Sequence, residues 1–337
     1  MKRQLFALAG CALAATAAAQ DKIELKVSHF VPPTHGFHVD VLEPWGKDLE
    51  KRTGGKVQVR LFAANSPFGK TENQADQVRQ GVVDVAWGLN GIPRGRFLRT
   101  SIMEFPFVAE SADSASRTLW AMLPGTLAED YKGLKVLAVH CHNPGLFHTG
   151  SKPLKSIDDV KGLRMRAPNP PTQALLQYLG ATPVGMPPTQ VYENVEKGVI
   201  DGAVFPWDAI KGFRLEAILK HHLDARVYTS CFHVVMTEQR FAALPADVRK
   251  AIDDTTGAVM VNNFGALWNR WDQAGLDAVK ARNNNIVSVS NEQREKWRVQ
   301  LQPVIDSQLA ELEKGGIANA RAIYDEMRKR IADLVKK

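Results

Sequence analysis

The chain has 337 residues, a formal net charge of +7 and three cysteines. That length can bury sizeable cores and suits two domains. The basic residues are dispersed rather than blocked, which argues against a nucleic-acid partner and suits a small anionic ligand drawn by a weakly positive field.

Lys2 and Arg3 precede a short apolar run, and Ala17-Ala18-Ala19 follows it with small residues. This is the pattern of a cleaved export signal over 1–19, with the mature chain beginning near Gln20 and carrying +5. The run is too short to span a bilayer. Leu8-Ala9-Gly10-Cys11 also has the form of a lipidation site, a second route to the same compartment. Either route leaves Cys141 and Cys231, which are free and buried or form one bridge.

Ile23-Glu24-Leu25-Lys26-Val27-Ser28 alternates apolar and polar residues and predicts a first strand. A Pro-rich loop at 32–36 leads to a helix through Val39, Leu42, Trp45 and Leu49, stopped by Gly54-Gly55. Val57 to Phe62 alternates as a second strand, a polar helix ends near Gln80, and Val82 to Trp87 reads as a buried strand. Farther on, 134–140 and 162–166 are predicted strands. Helices follow to Gly180 and from Pro188 to Gly198.

An internal echo ties these stretches together. Gln77-Val78-Arg79-Gln80-Gly81-Val82-Val83-Asp84-Val85-Ala86 matches Asn194-Val195-Glu196-Lys197-Gly198-Val199-Ile200-Asp201-Gly202-Ala203. In each copy a helix stops at glycine, turns through two β-branched residues and an aspartate, and enters a strand. Two similar α/β lobes are the economical reading. From Pro245 to Leu276 the apolar spacing predicts one long helix lying across both lobes, ended by Asn283-Asn284-Asn285 and followed by helices near 291–313 and 317–335.

Ligands of open α/β sheets sit beyond the carboxyl ends of strands. That rule selects His35, Asn90, His148, Arg166, Asn169, Phe205 and Trp207 as candidate ligand-binding residues. Asn90 lies between glycines after a buried strand. Arg164 points to the opposite face from Arg166 and reads as a surface residue.

Residues 156–169 (Ser156-Ile157-Asp158-Asp159-Val160-Lys161-Gly162-Leu163-Arg164-Met165-Arg166-Ala167-Pro168-Asn169), then 179–186, Val191-Tyr192, the Gly198-to-Gly202 turn and Leu244-Pro245 carry a resemblance to a known family. The chain resembles the substrate-binding proteins of TRAP (tripartite ATP-independent periplasmic) transporters, the DctP-like group. The resemblance implies a two-lobed periplasmic-binding-protein-like α/β fold, with the lobes joined by hinge strands. It places 20–142 with 232–270 in lobe I, 143–231 with 271–320 in lobe II, and leaves 321–337 as the end of the last helix. It implies a periplasmic, monomeric receptor that closes on a small organic acid and delivers it to small and large membrane permease subunits, with no cofactor, no metal and no catalysis. It also implies that Arg166 pairs the ligand carboxylate, for which a planar guanidinium fork is suited.

Two departures narrow the ligand. Sialic-acid-binding members carry a second arginine where this chain has Leu146, and an asparagine where it has Phe205. A compact 2-oxo, 2-hydroxy or aromatic acid is therefore expected. If the family topology holds, Cys141 and Cys231 sit near the crossings between lobes, where a disulfide would restrain closure. The rival readings are an exported enzyme using His142 or His148, a chemoreceptor ligand carrier, and a metal site around His140-Cys141-His142 with His221, His222 and Asp224. The chain has no phosphate loop, nucleophile elbow or zinc-protease motif.

Overall fold

The structure is a computed structural model describing residues 22–336. The expected signal peptide and Cys11 lie outside the described residues. Two sheets organise the chain. Strands β1 (Ile23–His29), β2 (Val57–Phe62), β3 (Val85–Leu89), β4 (Leu134–Cys141) and β10 (Cys231–Thr237) form one, in the order β2-β1-β3-β10-β4. Strands β5 (Gly145–Thr149), β6 (Arg164–Ala167), β7 (Thr182–Gly185), β8 (Gly202–Phe205), β9 (His221–Tyr228) and β11 (Asn285–Ser288) form the other, in the order β11-β9-β5-β8-β6-β7. In β1 the alternation behaves as expected: Leu25 and Val27 are fully buried and Glu24 and Lys26 face water.

The echo is a structural duplication down to its hydrogen bonds. Gly81 and Gly198 both take positive φ, 70° and 66°, where a Cβ would be strained. The Asp84 N–H donates to the Lys26 carbonyl at 2.9 Å and its carboxylate accepts from the Lys26 N–H at 2.7 Å. The Asp201 N–H donates to the Arg164 carbonyl and its carboxylate accepts from the Arg164 N–H, both at 2.8 Å. Each aspartate thus splices the incoming strand to its parallel neighbour in its own sheet, β1 for Asp84 and β6 for Asp201. By this register Arg166 occupies the place that Ser28 holds in the other lobe. Ser28 pairs with Ala86 and Arg166 with Ala203. Arg164 is bound on the outer face to Asp201.

The single helix expected from Pro245 onward is three helices, Ala246–Thr255, Ala258–Val261 and Phe264–Ala281. The break is at Thr256, which is extended, and Gly257, with φ 66° and ψ −133°. The Gly257 N–H leaves the helix ladder and donates to the Leu137 carbonyl. Apolar spacing runs through the break because all three segments bury the same side. The last segment lies across both lobes, as expected. Phe264, Trp268 and Trp271 join the core beneath the first sheet, and Val279 joins the core beneath the second. Strands β5, β9, β10 and β11 are additions to the expected set, and two helices, Asn291–Gln300 and Gln302–Lys314, replace the one expected near 291–313.

Cys141 and Cys231 face each other across β4 and β10 and are joined in a disulfide. They stand where the chain leaves the first sheet for the second and where it returns.

Candidate functional site

Chain segments from both sheets line a common cavity. Phe30, Trp87 and Phe232 approach it from the first sheet, and Phe205 and Phe213 from the second. Phe30 and Phe232 stack on Trp87 with centroids 4.8 and 5.2 Å away, so this wall is a rigid aromatic surface.

Arg166 is the charged group set into that apolar lining. It ends β6 and is 1% exposed. Its Nε donates to the Met186 carbonyl at 3.1 Å and its Nη1 to the Val204 carbonyl at 3.2 Å. Its guanidinium lies 4.2 Å from the Phe205 ring centre. These contacts fix the fork, while no described carboxylate pairs with it and Nη2 donates to no described group. Burial lowers its pKa to about 10, still far above neutrality, so the group stays cationic. Tyr228 lines the same cavity, and burial holds its phenol protonated.

His35 and Phe205 also line the cavity. The His35 Nδ1 accepts the Phe37 N–H at 3.1 Å, so the proton is on Nε2, which donates to Asp208 Oδ2 at 2.9 Å. That bond joins the two lobes and uses both ring nitrogens.

The structure places Asn90, His148, Asn169 and Trp207 outside the cavity lining. Asn90 donates to the Tyr131 hydroxyl and its oxygen meets His233 Nδ1; its neighbour Leu89 lines the cavity instead. His148 Nε2 donates to the Phe205 carbonyl at 3.1 Å, and its Nδ1 lies 2.7 Å from His222 Nδ1. Trp207 packs on both of these imidazoles. Asn169 caps the helix Pro170–Tyr178 through the Thr172 N–H. These residues support the walls: His148 pins the Phe205 backbone, and Asn169 fixes the end of the Arg166 strand. Asp208, Tyr228, Trp87, Phe30, Phe213 and Phe232 went unselected as ligand contacts by the sequence. Asp208 follows directly on the selected stretch 205–207 and was findable; Tyr228 and Phe232 lie on strands with no alternation to reveal them.

The rival chemistry is closed off by the same bonds. His142 Nδ1 donates to the Asn143 carbonyl and its Nε2 accepts the Ser230 N–H, which leaves no free nitrogen. Burial lowers the pKa of His142 and of His148 to about 4 each. Neither is placed as a general base. Cys141 is oxidised and cannot supply a thiolate to a metal, and among the described residues no cluster of three or more His, Cys, Asp or Glu is placed to hold one.

A profile of the bacterial extracellular solute-binding proteins, family 7 (DctP), matches residues 27–312. The chain belongs to that family. DctP proteins are the substrate-binding proteins of TRAP transporters and not enzymes. A TRAP solute-binding protein from Rhodoferax ferrireducens T118, solved with copurified benzoate, is 30% identical with a TM-score of 0.89, over 94% of this chain and 99% of that one. A marine metagenome TRAP protein specific for aromatic acid ligands, solved with metahydroxyphenylacetate, is 29% identical with a TM-score of 0.86, over 93% of this chain and 99% of that one. The 2,3-diketo-L-gulonate-binding periplasmic protein of Escherichia coli K12 is 29% identical over 60% of this chain and 63% of its own length. The two-lobed fold of this DctP protein is the one its sequence implied. Among its described residues no helix is long and apolar enough to cross a membrane.

Proposed function

We propose that this DctP protein is exported to the periplasm and captures a small, flat carboxylate between its lobes as a monomer. Arg166 pairs the carboxylate, and the Trp87 and Phe205 walls sandwich the apolar remainder. Lobe I is 20–142 with 232–270, and lobe II is 143–231 with 271–320. The closed receptor then docks on the small and large permease subunits of its transporter. The observation that carries this reading is a buried, fixed guanidinium without an acidic partner, facing a cavity with aromatic walls. A buried charge left unpaired is costly, and a ligand carboxylate removes that cost. The disulfide supports export, since such bonds persist in oxidising compartments. The ligands of the two similar structures, benzoate and metahydroxyphenylacetate, support the aromatic acid class. Leu146 pairs with Phe205 across β5 and β8 and is buried beside it, which supports a single anchoring cation.

Ligand bridging both lobes favours the closed state by the contacts that exist only there. A thermal-shift screen of the mature protein over aliphatic, sugar and aromatic carboxylates tests the reading, because a binder raises the melting temperature through mass action. Aromatic monocarboxylates should give the largest shifts. Larger shifts with uronic or sialic acids would overturn it.

A further inference from the structure

The cavity has a second polar side chain besides its arginine. Asp208 lies in the helix Trp207–Gly212 and lines the cavity at 7% exposure. Its backbone N–H donates to Asp272 Oδ1 at 2.8 Å, which fixes its place. Its Oδ2 accepts from His35 Nε2 at 2.9 Å. No described group of the chain donates to its Oδ1. His35 cannot respond to a ligand by changing its donors, since the Phe37 N–H occupies Nδ1. His35 is also boxed in: a Cβ at Gly212 would come within 2.9 Å of its ring. The pair is thus fixed in this arrangement, with one Asp208 oxygen unpaired in a residue that lines the cavity.

Aromatic rings stand near both this residue and the carboxylate anchor. Arg166 stands 4.2 Å from Phe205, Phe205 is 6.3 Å from Phe213, and Phe213 is 6.4 Å from His35, centre to centre. Arg166 and Asp208 make no ion pair with each other among the described bridges. The cavity therefore offers a cation and a separate carboxylate acceptor that do not pair with each other, among aromatic rings. A bare hydrocarbon end would leave the Asp208 oxygen desolvated and unmatched. A second carboxylate there would meet it charge to charge.

We infer that Asp208 sets ligand specificity. Its free oxygen accepts a hydrogen bond from a hydroxyl or amino group that the ligand carries apart from its carboxylate, and it rejects dicarboxylates. This rests on the proposed capture of an aromatic acid by Arg166 and adds the second polar feature of that acid.

The test is isothermal titration of the mature protein with benzoate, 3- and 4-hydroxybenzoate, 3- and 4-aminobenzoate, isophthalate and terephthalate. At least one hydroxy or amino acid should bind about tenfold or more tightly than benzoate, the range of one hydrogen bond to a charged acceptor. Isophthalate and terephthalate should both bind more weakly than benzoate. In Asp208→Asn, the preference for the donor-bearing acid over benzoate should shrink severalfold and the dicarboxylate penalty should relax. The ratio between ligands is the readout, because a purely structural latch would weaken all of them alike. Equal affinity of the parent protein for benzoate and every donor-bearing analogue overturns the assignment, even if the variant fails to fold. So does an unchanged ratio in a folded Asp208→Asn. Failure of all seven acids to bind instead overturns the proposed function itself, and this assignment with it.

Discussion

Six buried histidines and two strongly shifted acids, Glu104 and Asp272, dominate the response of this protein to pH. Burial lowers the pKa of His29 and His233 to about 3, of His142 and His148 to about 4 and of His222 to about 2, and holds His140 well down. Each is neutral in the folded state and protonates more readily when unfolded. Stability is therefore lost as pH falls below about 6.5, the unfolded value. Glu104 acts in the opposite sense. Burial raises its pKa to about 8, and Asp272 is raised to about 7. These carboxyls favour the folded state while protonated, so their contribution is full below the unfolded values and is lost as pH rises through about 7 to 8. Between pH 5 and 6.5 the six histidines outweigh the two acids. The melting temperature should rise from pH 5 to a maximum near 7 and decline toward 8.5. Glu104→Gln keeps an acceptor for the Cys231 N–H, now at 2.7 Å from Oε1, and should flatten the alkaline decline. A decline as steep as the parent's in thermal melts would show that Glu104 does not titrate in this range. None of this was legible in the sequence. A histidine or glutamate in a strand shows nothing of its desolvation until the packing is known.

Among the elements, the first lobe was the most legible, because its strands alternate and its helices end in glycine. The Gly81 and Gly198 turns even disclosed the duplication, since an aspartate three residues on serves the same splice in both lobes. Strands β5 and β9 lacked that signal, being mostly buried sequences rich in His, Thr and Tyr. The helix break at Thr256-Gly257 was hidden by unbroken apolar spacing, although Gly257 itself was the available clue. Its backbone lies where only glycine sits comfortably, and a Cβ would come within 2.9 Å of the Trp120 ring. Gly257→Ala should lower unfolding stability by roughly 1–3 kcal/mol in urea titration. A neutral effect would mean that the break relaxes freely. The disulfide belongs to this scale as well. It ties β4 to β10 where the chain enters and leaves the second lobe, its ends 90 positions apart. Converting both cysteines to serine should cost roughly 2–5 kcal/mol. The Cys141→Ser, Cys231→Ser protein should also show a larger change in scattering radius on ligand addition, because the crossing strands gain freedom. An unchanged radius would place the hinge elsewhere.

At the scale of the molecule, polar contacts join the lobes at several points, Arg298 to Glu110 at 2.9 Å among them. His35 reaches Asp208, and Arg94 reaches Gln173 at 2.6 Å. The helix Phe264–Ala281 bridges both cores and anchors their common base. Closure then depends on what fills the cavity. The sequence placed the cavity by the strand-end rule and named its arginine. It did not reveal that Asn90, His148, Asn169 and Trp207 brace the walls, because proximity to a strand end does not say which way a side chain turns. Arg166 is the feature on which the proposed function turns, since a fixed cation among aromatic walls suits a flat monocarboxylate. The most direct measurement is isothermal titration of an aromatic monocarboxylate into the mature protein and into its Arg166→Ala and Arg166→Lys variants. Arg166→Ala should lose about a hundredfold or more in affinity, as for truncation of a buried, hydrogen-bonded charge partner. Arg166→Lys, which keeps the charge without the planar fork, should fall between. Unimpaired binding by a folded Arg166→Ala would contradict the account.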